Sequence, residues 1–125
     1  MANEITSGFT LNVTKGSLTF SRNMSKQITL SASSPNVAGG TQSIPTTAGG
    51  EAVGLGDVAT NGVAYFVNLD STNYIEIGVN VAATFYPLIR LNAGEGFPMR
   101  LAQGIAPYAR ANTAAVVLEY HIFDN

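Results

Sequence analysis

The chain has 125 residues, 11% of them charged, a formal net charge of −2 and no cysteine. That length makes one domain with a core of its own, folding away roughly two-thirds of the extended chain's surface. The missing thiols exclude a disulfide framework and a cysteine-based metal site, in keeping with synthesis and assembly in a reducing cytoplasm.

In chain order, residues 1–6 show no basic cluster followed by an apolar run, so no signal peptide is expected. Phe9, Leu11 and Val13 alternate with Thr10, Asn12 and Thr14, which predicts a first strand turned by Lys15-Gly16. Leu18 and Phe20 begin a second strand, and Ile28 and Leu30, separated by Thr29, a third. Residues 31–50 are rich in Ser, Thr, Ala, Gly and Pro, with Val37 and Ile44 the only sizeable apolar groups. This stretch is expected to be a long extended connection, or an arm laid on a neighbour by Val37, Ile44 and Pro45.

Beyond Glu51 the pattern tightens. Residues 63–69 are apolar on both faces, as in a covered central strand. In residues 74–81, Ile75, Ile77, Val79 and Val81 alternate with Tyr74, Glu76, Gly78 and Asn80. Asp70-Ser71-Thr72-Asn73 between them reads as the turn of a β-hairpin. Thr84–Leu91 follows with Pro87, which predicts an edge strand or a bulge. Phe97, Met99 and Leu101 mark another strand, residues 104–113 a crossing segment, and residues 114–123 a last strand with Val116, Leu118, Tyr120 and Ile122 inward.

Short strands broken by Gly, Asn and Pro every eight to twelve residues or so are the pattern of an all-β, antiparallel two-sheet sandwich. About eight strands is the jelly-roll count. An immunoglobulin-like sandwich competes, but it wants about seven strands and commonly a Cys-Trp-Cys core. The expected core includes Val67, Ile75, Ile77, Phe85, Leu101, Leu118 and Tyr120.

Little in the sequence carries chemistry. His121 with Glu119 could serve as a base and its orienting carboxylate, but no nucleophile is identifiable beside them, and a histidine on a solvent- or subunit-facing strand explains both. Asn68, Asp70, Ser71, Thr72 and Asn73 could offer oxygens to calcium, yet they lack the spacing of a calcium loop, and turn chemistry accounts for them. The glycine pairs at 39–40 and 49–50 are followed by no Gly-Lys-Ser/Thr and are not phosphate cradles. No catalytic residue, cofactor or metal is therefore expected. Lys15, Arg22 and Lys26 are too separated for a nucleic-acid patch. No apolar run approaches the roughly 20 residues of a membrane span. Charge at 11%, against about 25% in ordinary soluble domains, instead suggests a surface covered by other protein. Tyr86 with Arg90, and Tyr108 with Arg110, are the candidate subunit contacts, because Tyr and Arg are enriched at interfaces.

The runs Asn61-Gly62…Asn68-Leu69-Asp70…Thr72-Asn73-Tyr74…Ile77-Gly78, Arg90-Leu91-Asn92-Ala93-Gly94-Glu95 and Pro107-Tyr108-Ala109-Arg110-Ala111 carry a resemblance. With Gln42-Ser43-Ile44-Pro45 at its front, the stretch 41–125 resembles small virion structural proteins of tailed bacteriophages, the group of capsid decoration (cement) proteins and head-fibre-like modules. The resemblance implies a non-enzymatic β-sandwich, commonly a homotrimer, on the outside of a capsid, with the major capsid protein as partner. A lectin-like or receptor-binding module of a tail or head fibre is the alternative it leaves open.

Overall fold

The computed structural model describes residues 4–125, and among these there is no helix. Ten strands follow one another: β1 Ile5–Lys15, β2 Leu18–Ile28, β3 Val37–Ile44, β4 Glu51–Ala52, β5 Asn61–Asn68, β6 Ile75–Val81, β7 Thr84–Leu91, β8 Gly96–Arg100, β9 Tyr108–Ala111 and β10 Val116–Asp124. β1 and β2 form a separate two-stranded ribbon. The other eight make two four-stranded sheets, β3-β10-β5-β8 and β4-β9-β6-β7.

Within those eight, all pairing is antiparallel, first with last: β3 with β10, β4 with β9, β5 with β8, β6 with β7. The sheets are completed by β10 beside β5 and β6 beside β9. A long hairpin rolled over a single core in this way is the jelly roll.

Alternation decides what the core holds. Along β10, Val116, Leu118, Tyr120 and Ile122 are buried, as their spacing predicts. They meet Ile44, Ala64 and Phe66 of their own sheet and Ile75, Ile77, Leu91, Ala109 and Ala111 of the facing one. Phe66 and Tyr120 stack with ring centres 6.4 Å apart. Of the expected core, Ile75, Ile77, Phe85, Leu118 and Tyr120 are buried and Leu101 packs partly buried against them. Val67 points instead to the outer face of its sheet, since its neighbours Phe66 and Asn68 point in.

Two expectations about connectivity are corrected. Residues 61–79 are not a hairpin, because β5 and β6 lie in different sheets. Their buried faces meet across the core, and residues 69–74 arch between the layers. The arch hangs on Asn68, which is fully buried. Its Nδ2 donates to the Asn73 carbonyl at 2.8 Å and the Leu91 carbonyl at 3.1 Å, and its Oδ1 accepts from the Asp70 N–H at 2.9 Å. The second correction concerns residues 31–50, which are not simply a long connection. They contain β3, an edge strand paired with β10 along its whole length, Val37 opposite Phe123 through Ile44 opposite Val116. Ala38 and Ile44 reach the core, so the segment is ordered by the chain's own sheet. Gly39 is required there: a Cβ on it would sit 2.2 Å from the Tyr120 carbonyl oxygen.

The C-terminus closes the sandwich. Asp124 accepts the N–H groups of Ala59 at 2.8 Å, Thr60 at 3.0 Å and Asn36 at 2.9 Å. Two loop segments, the β4–β5 and β2–β3 connections, are thereby tied to the last strand, and these bonds hold the carboxyl below its ordinary range. β7 is an edge strand, as Pro87 predicts, and the register also slips between Ile77 and Gly78 opposite it.

Candidate assembly surface

The ribbon projects from the sandwich and meets it along β8, where residues 8–11 share a hollow with residues 96–98. No residue of β1 or β2 is buried. Their register is unbroken from Ile5 opposite Ile28 to Lys15 opposite Leu18. Because side chains alternate, each cross-strand pair puts both members on one face. One face holds the pairs Thr6–Gln27, Gly8–Ser25, Thr10–Asn23, Asn12–Ser21 and Thr14–Thr19, all small or polar. Side chains bond across it, Ser21 Oγ to Asn12 Oδ1 at 2.6 Å and Thr10 Oγ1 to Asn23 Oδ1 at 3.3 Å.

The opposite face is of another kind. It stacks Ile5–Ile28, Ser7–Lys26, Phe9–Met24, Leu11–Arg22, Val13–Phe20 and Lys15–Leu18. Phe9, Leu11, Leu18, Phe20 and Met24 on it are each 42–58% exposed. All three cations of the ribbon lie on this apolar face, where their aliphatic stems extend it and their charged ends mark its rim. A contiguous apolar face of this kind, standing in water, marks an interaction site. Sequence reasoning found its first strand and the start of its second, but split β2 by setting a third strand at Ile28 and Leu30. The split arose because Arg22 and Lys26 interrupt the apolar residues of β2, which runs unbroken from Leu18 to Ile28. Counting their stems as apolar restores the period-two pattern.

A second unusual surface is the outer face of the β3-β10-β5-β8 sheet. β10 sends Val117, Glu119, His121 and Phe123 there, and Tyr65, Val67 and Leu69 lie alongside. The Tyr65 hydroxyl is 2.7 Å from His121 Nδ1, with ring centres 5.5 Å apart, and His121 stacks on Phe123 at 6.5 Å. Burial raises the Tyr65 pKa, and Glu119 beside the hydroxyl raises it further as hydrogen-bond partner and as charge. His121 thus joins a tyrosine and a phenylalanine in an aromatic row. The root of the ribbon, Ile5–Gly8, shares a hollow with Val63, Tyr65, Pro98 and Phe123 at one end of this face.

The contact residues expected from sequence are scattered. Val37 and Tyr86 are half exposed, on the first sheet's outer edge and on β7. Ile44 is completely buried, so its place is the core and not a neighbour's groove, because it faces inward opposite Val116. Pro45 is half-buried and its carbonyl accepts the Ala111 N–H at 3.0 Å. Arg90 lies 3.6 Å above the ring of Tyr74 and bonds Asn92. Arg110 pairs with Glu76 at 2.9 Å, reaches the Ala48 carbonyl and lies 4.8 Å from the ring centre of Phe85. Tyr108, half-buried, pairs with Ala52 and Gly78. The two arginines therefore find their aromatic partners in Tyr74 and Phe85, not in Tyr86 and Tyr108, and they flank Glu76 across β7, β6 and β9.

The turn oxygens are also engaged. Asp70 Oδ1 accepts the N–H groups of Thr72 at 2.7 Å and Asn73 at 2.6 Å, which lowers its pKa. Where the edges of the two sheets part, Ile77, Leu88, Ile89, Met99, Leu101 and Ile105 line an apolar cavity of about 120 Å³. Among the described residues no three His, Asp or Glu side chains gather as a metal site would need. Comparison with family models, with curated proteins and with solved structures finds no match to this chain.

Proposed function

We propose that the protein is a non-enzymatic structural subunit of a tailed-phage virion, a decoration protein that binds the outer capsid surface and stabilises the shell. The observation that carries the structural part is the ribbon: two eleven-residue strands with an apolar face in water and no core of their own. An isolated two-stranded ribbon is marginally stable, so its face has a use only when another surface covers it. The low charge and the aromatic outer sheet face point the same way. The assignment to a capsid, with the major capsid protein as partner and self-association as a trimer, follows the sequence resemblance over residues 41–125.

The test is reconstitution. Purified protein added to particles lacking it should co-sediment with them and raise the temperature at which they release their genome. Particles that bind none of it, or bind it without gaining heat resistance, would refute the reading.

A further inference from the structure

The ribbon's charges indicate what covers it. β1 and β2 carry Lys15, Arg22 and Lys26 and no acid, whereas residues 29–125 carry seven acids against three arginines. Two ribbons laid apolar face to apolar face would set cations against cations, which is unfavourable. The body of a second copy offers the opposite sign.

Within that body, one surface combines apolar exposure with carboxylates. At the end of the outer sheet face remote from the ribbon's root, Leu69 and Val117 are joined by a backbone hydrogen bond of 3.0 Å and are both about half exposed, at 48% and 45%. Val67 lies beside them, Glu119 follows on β10, and Asp70 follows Leu69. The chain's own ribbon root occupies the opposite end of the face, and residues 8–11 share a further hollow with residues 96–98 of β8, at the border of the sheet. The Leu69–Val117 end is left open.

We propose that the apolar face of one copy's ribbon lies on this open end of a second copy's β3-β10-β5-β8 sheet, as a third β layer, with Arg22 and Lys26 reaching Glu119 and Asp70. The inference rests on the reading of the chain as an assembly subunit and names its first partner as another copy of itself. The contact is heterologous, ribbon to sheet, so it ends in a reciprocal exchange between two copies or a ring where the rotation closes, and in an open filament where it does not. Two apolar β faces packing at about 10 Å is the ordinary geometry of a sandwich. Here one face comes from each copy.

The experiment is sedimentation equilibrium of the full chain at micromolar concentration, without capsids. Wild type is expected at a multiple of 13.0 kDa. The double variant Arg22→Glu, Lys26→Glu should dissociate, its dissociation constant rising roughly tenfold or more, which corresponds to about 1.4 kcal/mol. Glu119→Lys alone should dissociate in the same way, and combining it with the double variant should restore the oligomer. Unchanged far-ultraviolet circular dichroism in each variant shows that the sandwich has stayed folded. A wild type that remains monomeric overturns the proposal, as does charge reversal without effect or a combined variant that fails to reassociate. A monomer that pellets with phosphatidylserine vesicles also overturns it, since the ribbon's cover would then be an anionic lipid surface. A monomer that still adds back to particles overturns the self-docking and leaves the proposed function standing; an oligomer that never adds back does the reverse.

Discussion

Replacing Asn68 with aspartate leaves the volume of the arch between the two sheets almost unchanged and exchanges one donor for an acceptor. Asn68 is fully buried, and its Nδ2 supplies hydrogen bonds of 2.8 and 3.1 Å to the carbonyls of Asn73 and Leu91. In the variant a carboxylate oxygen faces those two carbonyls, so two bonds are lost and the charged form is disfavoured. Each buried group left without its partner costs about 1–3 kcal/mol, so a loss of about 4 kcal/mol at neutral pH is expected. Unfolding entropy of about 2.1 cal/mol/K per residue turns this into a fall of roughly 15 °C in Tm for a chain of this length. The pH dependence carries the sharper test. The introduced carboxyl has a folded pKa raised above the unfolded value of about 3.9. Its penalty is therefore absent below the unfolded value and grows as pH rises towards the folded one. Thermal melts of Asn68→Asp and wild type, paired at each pH, should converge as pH falls from 7 towards 4, when the neutral acid can donate to one carbonyl again. Asn68→Leu should be destabilised with no such convergence. An Asn68→Asp protein within about 1 kcal/mol of wild type at neutral pH, or one whose deficit ignores pH, would show that Asn68 does not hold the arch.

Three further outcomes follow from particular contacts. The Asp124 carboxyl is held below its usual range by the N–H groups of Thr60, Asn36 and Ala59. A depressed folded pKa stabilises fully above the unfolded value of about 4 and fades as pH falls through the folded one, so Asp124→Asn should lower Tm at pH 7 and flatten the acid limb of the stability profile. The two-residue turn joining β6 and β7 places Ala82 and Ala83 at φ of 51° and 66°, a left-handed region that costs a non-glycine residue about 1–2 kcal/mol. Ala82→Asn with Ala83→Gly should therefore raise Tm by several degrees, read by calorimetry. A chain beginning at residue 29 should keep its strand circular dichroism and one cooperative melt, because every ladder of the two sheets lies within residues 37–124.

Sequence patterns were informative where one strand face is buried and the other is wet. β10 shows this best: all four inward residues, Val116, Leu118, Tyr120 and Ile122, follow from alternation alone. Pro87 likewise marks β7 as an edge. Alternation says that a segment is a strand and which way it faces, but it does not say which strand it pairs with. The four polar residues 70–73 suit a hairpin turn as well as an arch between sheets, and the asparagine just before them, whose amide satisfies two carbonyls from different segments, is the discriminating feature. β3 escaped because Gly39 and Gly40 break its apolar alternation and left residues 31–50 reading as a connection, whereas Gly39 is demanded by the close approach of Tyr120. The ribbon's contact face escaped because its cations were counted as charges and not also as stems. Of the contacts proposed from residues 31–50 and the Tyr/Arg pairs, Ile44 is core, and both arginines are held within their own sheet. Interface propensity does not distinguish an arginine awaiting a partner from one already stacked on a ring.

The edges of the sandwich explain why association should proceed through faces. An exposed strand edge is a template for further pairing, and short strands, prolines, glycines and bulges blunt it. The four edge strands are β3, β8, β4 and β7. β3 carries Gly39 and Gly40 with φ of 150° and 124°, β8 contains Pro98, β4 is only two residues long, and β7 contains Pro87 opposite a register slip. Each edge is thus a poor template for another strand. The ribbon differs: β2 is eleven residues long without proline or glycine, and its exposed apolar side chains stand on a face. A subunit whose sandwich edges are blunted and which carries an apolar face outside its core associates more readily by stacking that face than by pairing sandwich edges. Stacking also uses the ribbon in the orientation that hides Phe9, Leu11 and Phe20 and leaves the Thr, Ser and Asn face to water. On this reasoning Phe20→Ser, which leaves every backbone bond of the ribbon in place, should weaken self-association by roughly tenfold or more, while Ser21→Ala on the opposite face should not change it. Equal effects from the two substitutions, measured by sedimentation equilibrium, would show that the face has been assigned wrongly.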